Sequence, residues 1–123
     1  MRRFYKDLNT HNIFLELTEL SAQDEAPQIK ELTANTTDAA QEKHVPAVTV
    51  DGNKVEVAVG SIAHPMLDDH FITVVFIETK FGGQYRRLSP DDEPKAVFTL
   101  AEGDEFIAAY EYCNLHGLWK AEA

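Results

Sequence analysis

Cysteine is the scarcest reactive residue in this sequence: 123 residues contain one, Cys113. An internal disulfide is therefore excluded, and so is any metal site built on four thiolates from this chain. Basic residues are also few, 11 Lys and Arg against 21 Asp and Glu, giving a net charge of −10. Nucleic acids and anionic membranes both need a basic footprint, so neither is expected as a partner. No apolar run approaches the about 18 residues needed to cross a bilayer. The opening stretch MRRFYKDLNTHN has charge but no apolar segment or small-residue cleavage site behind it. Neither a membrane span nor a secretory leader is expected, and the cytoplasm is the expected compartment. A sustained 3.6-residue apolar period is missing as well, which argues against long helices.

What the sequence does have is strands. Apolar residues make up 44% of it, enough for a packed core. NKVEVAVG alternates, with Val55, Val57 and Val59 on one face and Lys54, Glu56 and Ala58 on the other. FITVVFIET, residues 71–79, is dense in β-branched and aromatic side chains and reads as a strand buried on both faces. FGGQYRRL reads as a Gly-Gly turn running into a strand, and HVPAVTVDGNKVEV as two strands about an Asp51-Gly52-Asn53 turn. KAVFTL and FIAAYEYC complete the set. Short strands with regular turn signals predict an all-β antiparallel sandwich over residues 36–123. Residues 1–35 read as a small β appendage, with a strand or hairpin in HNIFLELTEL and then the polar stretch SAQDEAPQ. TANTTDAAQ reads as the linker between the two.

The side chains able to bind a metal in the sandwich region are His44, His64, His70, Cys113 and His116. Each falls at a strand boundary: His44 in EKHVP, His64 and His70 at the ends of HPMLDDH, Cys113 and His116 after FIAAYEY. Taken singly, a loop histidine is usually a surface group and a lone cysteine a small core residue. C-x-x-H alone is a weak motif. The five together at one set of strand ends are a stronger signal, because loops at one end of a sandwich converge. His11 lies in the appendage and stays outside the set. A closed structural zinc site takes four ligands, one fewer than the five available. Four imidazoles in a plane with one axial thiolate would suit a square-pyramidal iron with an open sixth position, a redox site for a small oxygen-containing ligand. Two other chemistries remain: a non-catalytic iron- or zinc-binding redox or metal-sensing module, and a Cys113 nucleophile activated by His116. The nucleophile leaves His44, His64 and His70 without a role.

Three blocks, EKHVP (42–46), GSIAHPMLDDHFI (60–72) and YCNLHGLWKA (112–121), resemble the iron domain of the superoxide reductases, the desulfoferrodoxin and neelaredoxin family, in order and spacing. The resemblance covers about residues 36–123. It implies a seven-stranded immunoglobulin-like sandwich and one mononuclear iron per chain, cycling between Fe2+ and Fe3+. His44, His64, His70 and His116 fall on the family's equatorial ligands and Cys113 on its axial thiolate. Glu42 falls on the carboxylate that takes the sixth position of ferric iron, and Lys43 on the lysine beside the open face. Without the motif both would read as ordinary surface charges, and Tyr112 and Trp119 read as packing groups or as supports behind the ligands, with no chemistry of their own. The implied reaction is one-electron reduction of superoxide to hydrogen peroxide, with re-reduction by an external donor such as rubredoxin. A homo-oligomer is implied, a dimer before a tetramer. The N-terminal region departs from the two-iron members: in YKDLNTHNI, Asp7 and Thr10 stand where the first two cysteines of a desulforedoxin-like region would be. No second, four-thiolate iron centre is expected, and the appendage is expected to act as a pairing surface.

Overall fold

The computed structural model describes residues 2–18 and 28–123. The chain forms two compact units, residues 1–33 and 34–123. The end of HNIFLELTEL and nearly all of the polar stretch after it, residues 19–27, lie outside the described residues.

The first unit is a three-stranded antiparallel sheet of β1 (Phe4–Asp7), β2 (Ile13–Leu15) and β3 (Ile29–Leu32), in the order β2-β1-β3. Phe4 and Tyr5 in the central strand are its buried residues. Glu16 accepts a hydrogen bond from the Tyr5 hydroxyl at 3.2 Å and pairs with Arg3 at 3.6 Å. Asp7, at the position of an expected cysteine, organises the β1–β2 turn: its Oδ1 accepts the backbone N–H of Asn9 at 2.8 Å and of Thr10 at 3.1 Å. A carboxylate followed by amides two and three residues on is the usual Asx-turn arrangement, and it satisfies the loop without a metal.

The second unit contains seven strands and one helical turn. The turn α1 (Gln41–His44) leads into β4 (Pro46–Asp51), β5 (Lys54–Val59), β6 (Ile72–Thr79), β7 (Gly82–Arg87), β8 (Lys95–Thr99), β9 (Phe106–Cys113) and β10 (Gly117–Glu122). They form a four-stranded sheet, β10-β9-β6-β7, and a three-stranded sheet, β4-β5-β8. Every named pairing is antiparallel. The core lies between the sheets, built from Val55, Val57 and Val59 of β5, Ile72, Val75 and Ile77 of β6, and Ala96 and Phe98 of β8. The alternating pattern of β5 is the observed one, with the valines inward and Lys54 and Glu56 exposed.

Four local readings change. The β6–β7 turn is Lys80-Phe81, and Gly82 and Gly83 open β7. A Cβ on Gly83 would meet the Phe76 ring at 2.5 Å, so this glycine makes room for an aromatic ring and not for the turn. GLWKAE is a strand, β10, although its sequence lacks alternation. His44 closes α1 and does not open a strand, while Cys113 is the last residue of β9 and does not follow it. Among the described residues no helix is long and apolar enough to cross a membrane.

Candidate metal centre

Three connections at one end of the sandwich supply the five side chains. The first is α1, which ends in His44. The loop Gly60–Ile62 clasps it: the Glu42 carbonyl accepts the Ile62 N–H at 2.9 Å and the Ser61 hydroxyl at 3.3 Å. Gly60 is what allows the approach. A Cβ there would lie 2.7 Å from the Glu42 carbonyl oxygen and 2.9 Å from that of Val45. The second connection, between β5 and β6, carries His64 and His70. His64 is tied to the end of β5 by its N–H on the Val59 carbonyl, and His70 forms an isolated antiparallel bridge with Leu67. The third is the β9–β10 hairpin. Cys113 and Gly117 are cross-strand partners, so the C-x-x-H spacing is that of a three-residue hairpin loop with the cysteine on its last ladder position. Gly117 sits at φ +82°, the left-handed conformation that lets the chain turn back. Asn114 in this loop locks it to the second connection, accepting the Phe71 N–H at 2.9 Å and donating to the Asp69 carbonyl at 3.0 Å.

The five ligand atoms converge. His44, His64, His70, Cys113 and His116 each present one within 4.8 Å of all the others. The imidazoles form a closed cycle of perpendicular neighbours, His44–His64, His64–His70, His70–His116 and His116–His44, with ring centroids 4.7 to 5.0 Å apart. His44 therefore faces His70 across the cycle, and His64 faces His116. Sγ of Cys113 is 3.6 Å from Nε2 of His64 and 3.9 Å from Nδ1 of His116. The sulfur therefore lies against two opposite members of the cycle.

These atoms fit a metal better than they fit each other. The Nδ1–H of His44 is donated to the Ala40 carbonyl at 2.6 Å and that of His64 to the Pro65 carbonyl at 2.7 Å. Both Nε2 atoms consequently carry lone pairs, yet they stand 3.2 Å apart, and His44 Nε2 is 3.1 Å from His116 Nδ1. Two facing lone pairs repel unless a cation takes both. Among the described residues His70 Nε2, which is buried, has no hydrogen-bond partner. Metal–nitrogen bonds of about 2.1 Å at right angles put adjacent nitrogens about 3 Å apart, against about 3.4 Å in a tetrahedron. The observed 3.1 and 3.2 Å separations lie in the range that one shared metal ion would set. Burial lowers the pKa of His44 and lowers that of His64 to about 4, so both are neutral at pH 7. Burial pushes the Cys113 thiol up, so a metal must displace its proton to gain the thiolate.

Glu42 and Lys43 precede His44 on α1 and are exposed; the Glu42 carboxylate is not a member of the converged group. Two residues emerge that local spacing did not mark. Glu111, on the Cys113 face of β9, is fully buried with neither carboxylate oxygen hydrogen-bonded among the described residues, and burial raises its pKa well above the usual range. Trp119 is stacked on His44 with centroids 5.0 Å apart.

The same chain segment matches known proteins. Residues 36–122 match the desulfoferrodoxin family. The desulfoferrodoxin of Clostridium acetobutylicum is 47% identical over 92 residues, covering 74% of this chain and 70% of that protein. The superoxide reductase of Pyrococcus horikoshii is 38% identical over 111 residues, covering 73% of this chain and 93% of that one. Among solved structures, the superoxide reductase of Treponema pallidum superposes with a TM-score of 0.80 at 38% identity, covering 89% of this chain and 93% of the other. That of Giardia intestinalis superposes at 0.56 with 30% identity over 67% of this chain and 97% of its own. With its ligand-bearing region inside the matched span, the chain belongs to the desulfoferrodoxin family.

Proposed function

We propose that this chain is a superoxide reductase, reducing superoxide by one electron to hydrogen peroxide at a single iron held by His44, His64, His70, His116 and Cys113. The observation that carries the reading is the closed cycle of four imidazoles with a thiol sulfur against two of its opposite members. Four imidazoles and one thiolate suit a five-coordinate iron with a vacant sixth position. Bound there, the iron would give one electron as it passes from Fe2+ to Fe3+, and two protons would complete the peroxide.

The protein's own groups prepare that chemistry. The Ala40 and Pro65 carbonyls fix the tautomers of His44 and His64 and hold their Nε2 atoms inward. Cys113, fully buried, keeps its sulfur away from bulk solvent, where as a thiolate it would donate electron density to the iron. Lys43, exposed beside His44, supplies a local positive charge that draws an anion towards a protein of net charge −10. Glu42, its neighbour on the same turn, would be the carboxylate available to the oxidised iron and to assist release of peroxide. For that its side chain must swing inward from its exposed position on α1.

Residues 36–123 form the iron domain in this reading, and residues 1–35 a desulforedoxin-like region that lost its metal. One cysteine leaves no ligands for a second iron centre, so the electron reaches the sandwich from an external carrier such as rubredoxin. The N-terminal unit exposes Phe14 and Ile29 on its strands and Leu17 just beyond β2, and this surface pairs subunits into a homodimer. The compartment is the cytoplasm.

The test is rapid anaerobic mixing of the iron-loaded, reduced protein with superoxide, following the visible spectrum and the peroxide formed. A thiolate-to-ferric band that grows with one peroxide per iron supports the reading. Cys113→Ser should keep the fold and lose that band and most of the activity. Iron uptake with no response to superoxide would make the chain a metal-binding module instead.

A further inference from the structure

We infer that Trp119 is a positioning residue that holds two of the metal ligands, setting the distance between His44 and the Cys113–His116 hairpin. The inference rests on the iron site proposed above and concerns how the protein builds it.

His44 and His116 reach the site from different halves of the molecule. His44 precedes β4 in the three-stranded sheet, whereas His116 lies in the β9–β10 loop of the four-stranded sheet. No ladder hydrogen bonds join the two sheets; Asn35, upstream of α1, bonds the Leu118 carbonyl of β10, and nearer the ligands side chains span the gap. Nevertheless His44 Nε2 and His116 Nδ1 are only 3.1 Å apart. Trp119 touches both. Its ring stacks on His44 at an interplanar angle of 25°, and its Nε1–H donates to the His116 carbonyl at 3.0 Å. The stack restrains the imidazole plane of His44, which the Ala40 hydrogen bond alone leaves free to rock about the Nδ1–H axis. The hydrogen bond restrains the loop backbone that aims His116. Trp119 is 1% exposed, so neither contact competes with solvent.

A tryptophan that only filled the core would affect stability and leave the metal indifferent. A positioning residue alters how metal-free protein receives metal, and substitutions of groups that orient ligands typically weaken metal binding about 10- to 100-fold. Trp119 is also the sole tryptophan, so its emission reports directly on what happens beside His44.

The experiment titrates the metal-free full chain with Co2+ under anaerobic conditions, reading Trp119 emission in the wild type and cobalt–thiolate absorption throughout. Two altered proteins are compared: Trp119→Phe, and one in which benzothienylalanine replaces Trp119, keeping the ring shape and the stack but removing the N–H donor. The expected result is a native circular dichroism spectrum before metal, Co2+ affinity reduced about 10- to 100-fold, and a shifted absorption band. Wild-type affinity and an unshifted band in the altered proteins overturn the inference. Should Trp119→Phe not fold, the isosteric protein decides between the same two results. If the wild type takes up no Co2+ and its emission does not change, the metal site itself fails and the inference with it. If it binds and the altered proteins match it, only the role of Trp119 fails.

Discussion

His64 is 3% exposed, and its Nδ1–H is committed to the Pro65 carbonyl. Protonating Nε2 would therefore place a charge under the surface among three other imidazoles. Burial accordingly lowers its pKa from 6.5 to about 4, and His44 shifts in the same direction for the same first cause. The unfolded chain takes up these protons first as pH falls. Metal-free protein should lose stability as pH drops below the unfolded value of about 6.5. The loss should be complete below about 4. Urea midpoints measured across pH 7.5 to 3.5 check this, and a flat profile would mean the imidazoles are solvated in the free protein. At this scale much of the site could be read from the chain. The five ligands stood out because histidine and cysteine are rare and all five fall at strand boundaries. Glu111 did not stand out, and Trp119 read only as packing or as a support behind the ligands. They are cross-strand partners in the β9–β10 ladder, and a relation set by register leaves no mark in local spacing. Nor does any spacing show that Trp119 lies against an imidazole 75 positions earlier.

Strand β5 was legible because one of its faces is core and the other solvent, so alternation survives in the sequence. β10 was not: Leu118 and Trp119 are adjacent and both buried, which erases the period of two. α1 is a single turn, too short to show any period. The β6–β7 turn was displaced because glycines commonly mark turns, whereas here Gly83 gives way to the Phe76 ring. Gly60 is a comparable case with a functional consequence. Gly60→Ala would drive a methyl against the carbonyls of Glu42 and Val45, both of them backbone atoms. Overpacking of this kind costs about 1–3 kcal/mol, and relief requires α1 to move with His44 on it. The expected outcome is a lower urea midpoint together with weaker metal binding in a competition titration. A stable variant that binds metal normally would show that the Gly60 loop does not hold α1 in place.

Across the whole molecule, charge is the property that composition showed most directly. Superoxide is an anion and the protein carries −10, so capture depends on a local reversal of sign near the site. Lys43→Ala should slow the second-order reaction and make its salt dependence more repulsive, because the remaining field disfavours approach and added salt screens it. Stopped-flow rates at several ionic strengths measure both, and an unchanged slope would leave Lys43 an ordinary surface lysine. The sandwich was legible at this scale from the count and rhythm of strands. The turn at Asp7 was not, since only the structure shows its carboxylate gathering the Asn9 and Thr10 amides. The order of the ligands along the chain bears on biosynthesis. His44, His64 and His70 are translated well before Cys113 and His116, so a growing chain offers three imidazoles and no thiolate until β9 is made. Iron acquisition must wait for nearly the whole sandwich. A chain that stalls or is clipped before its last hairpin would lack the sulfur ligand, and such fragments would be poor scavengers of cellular iron.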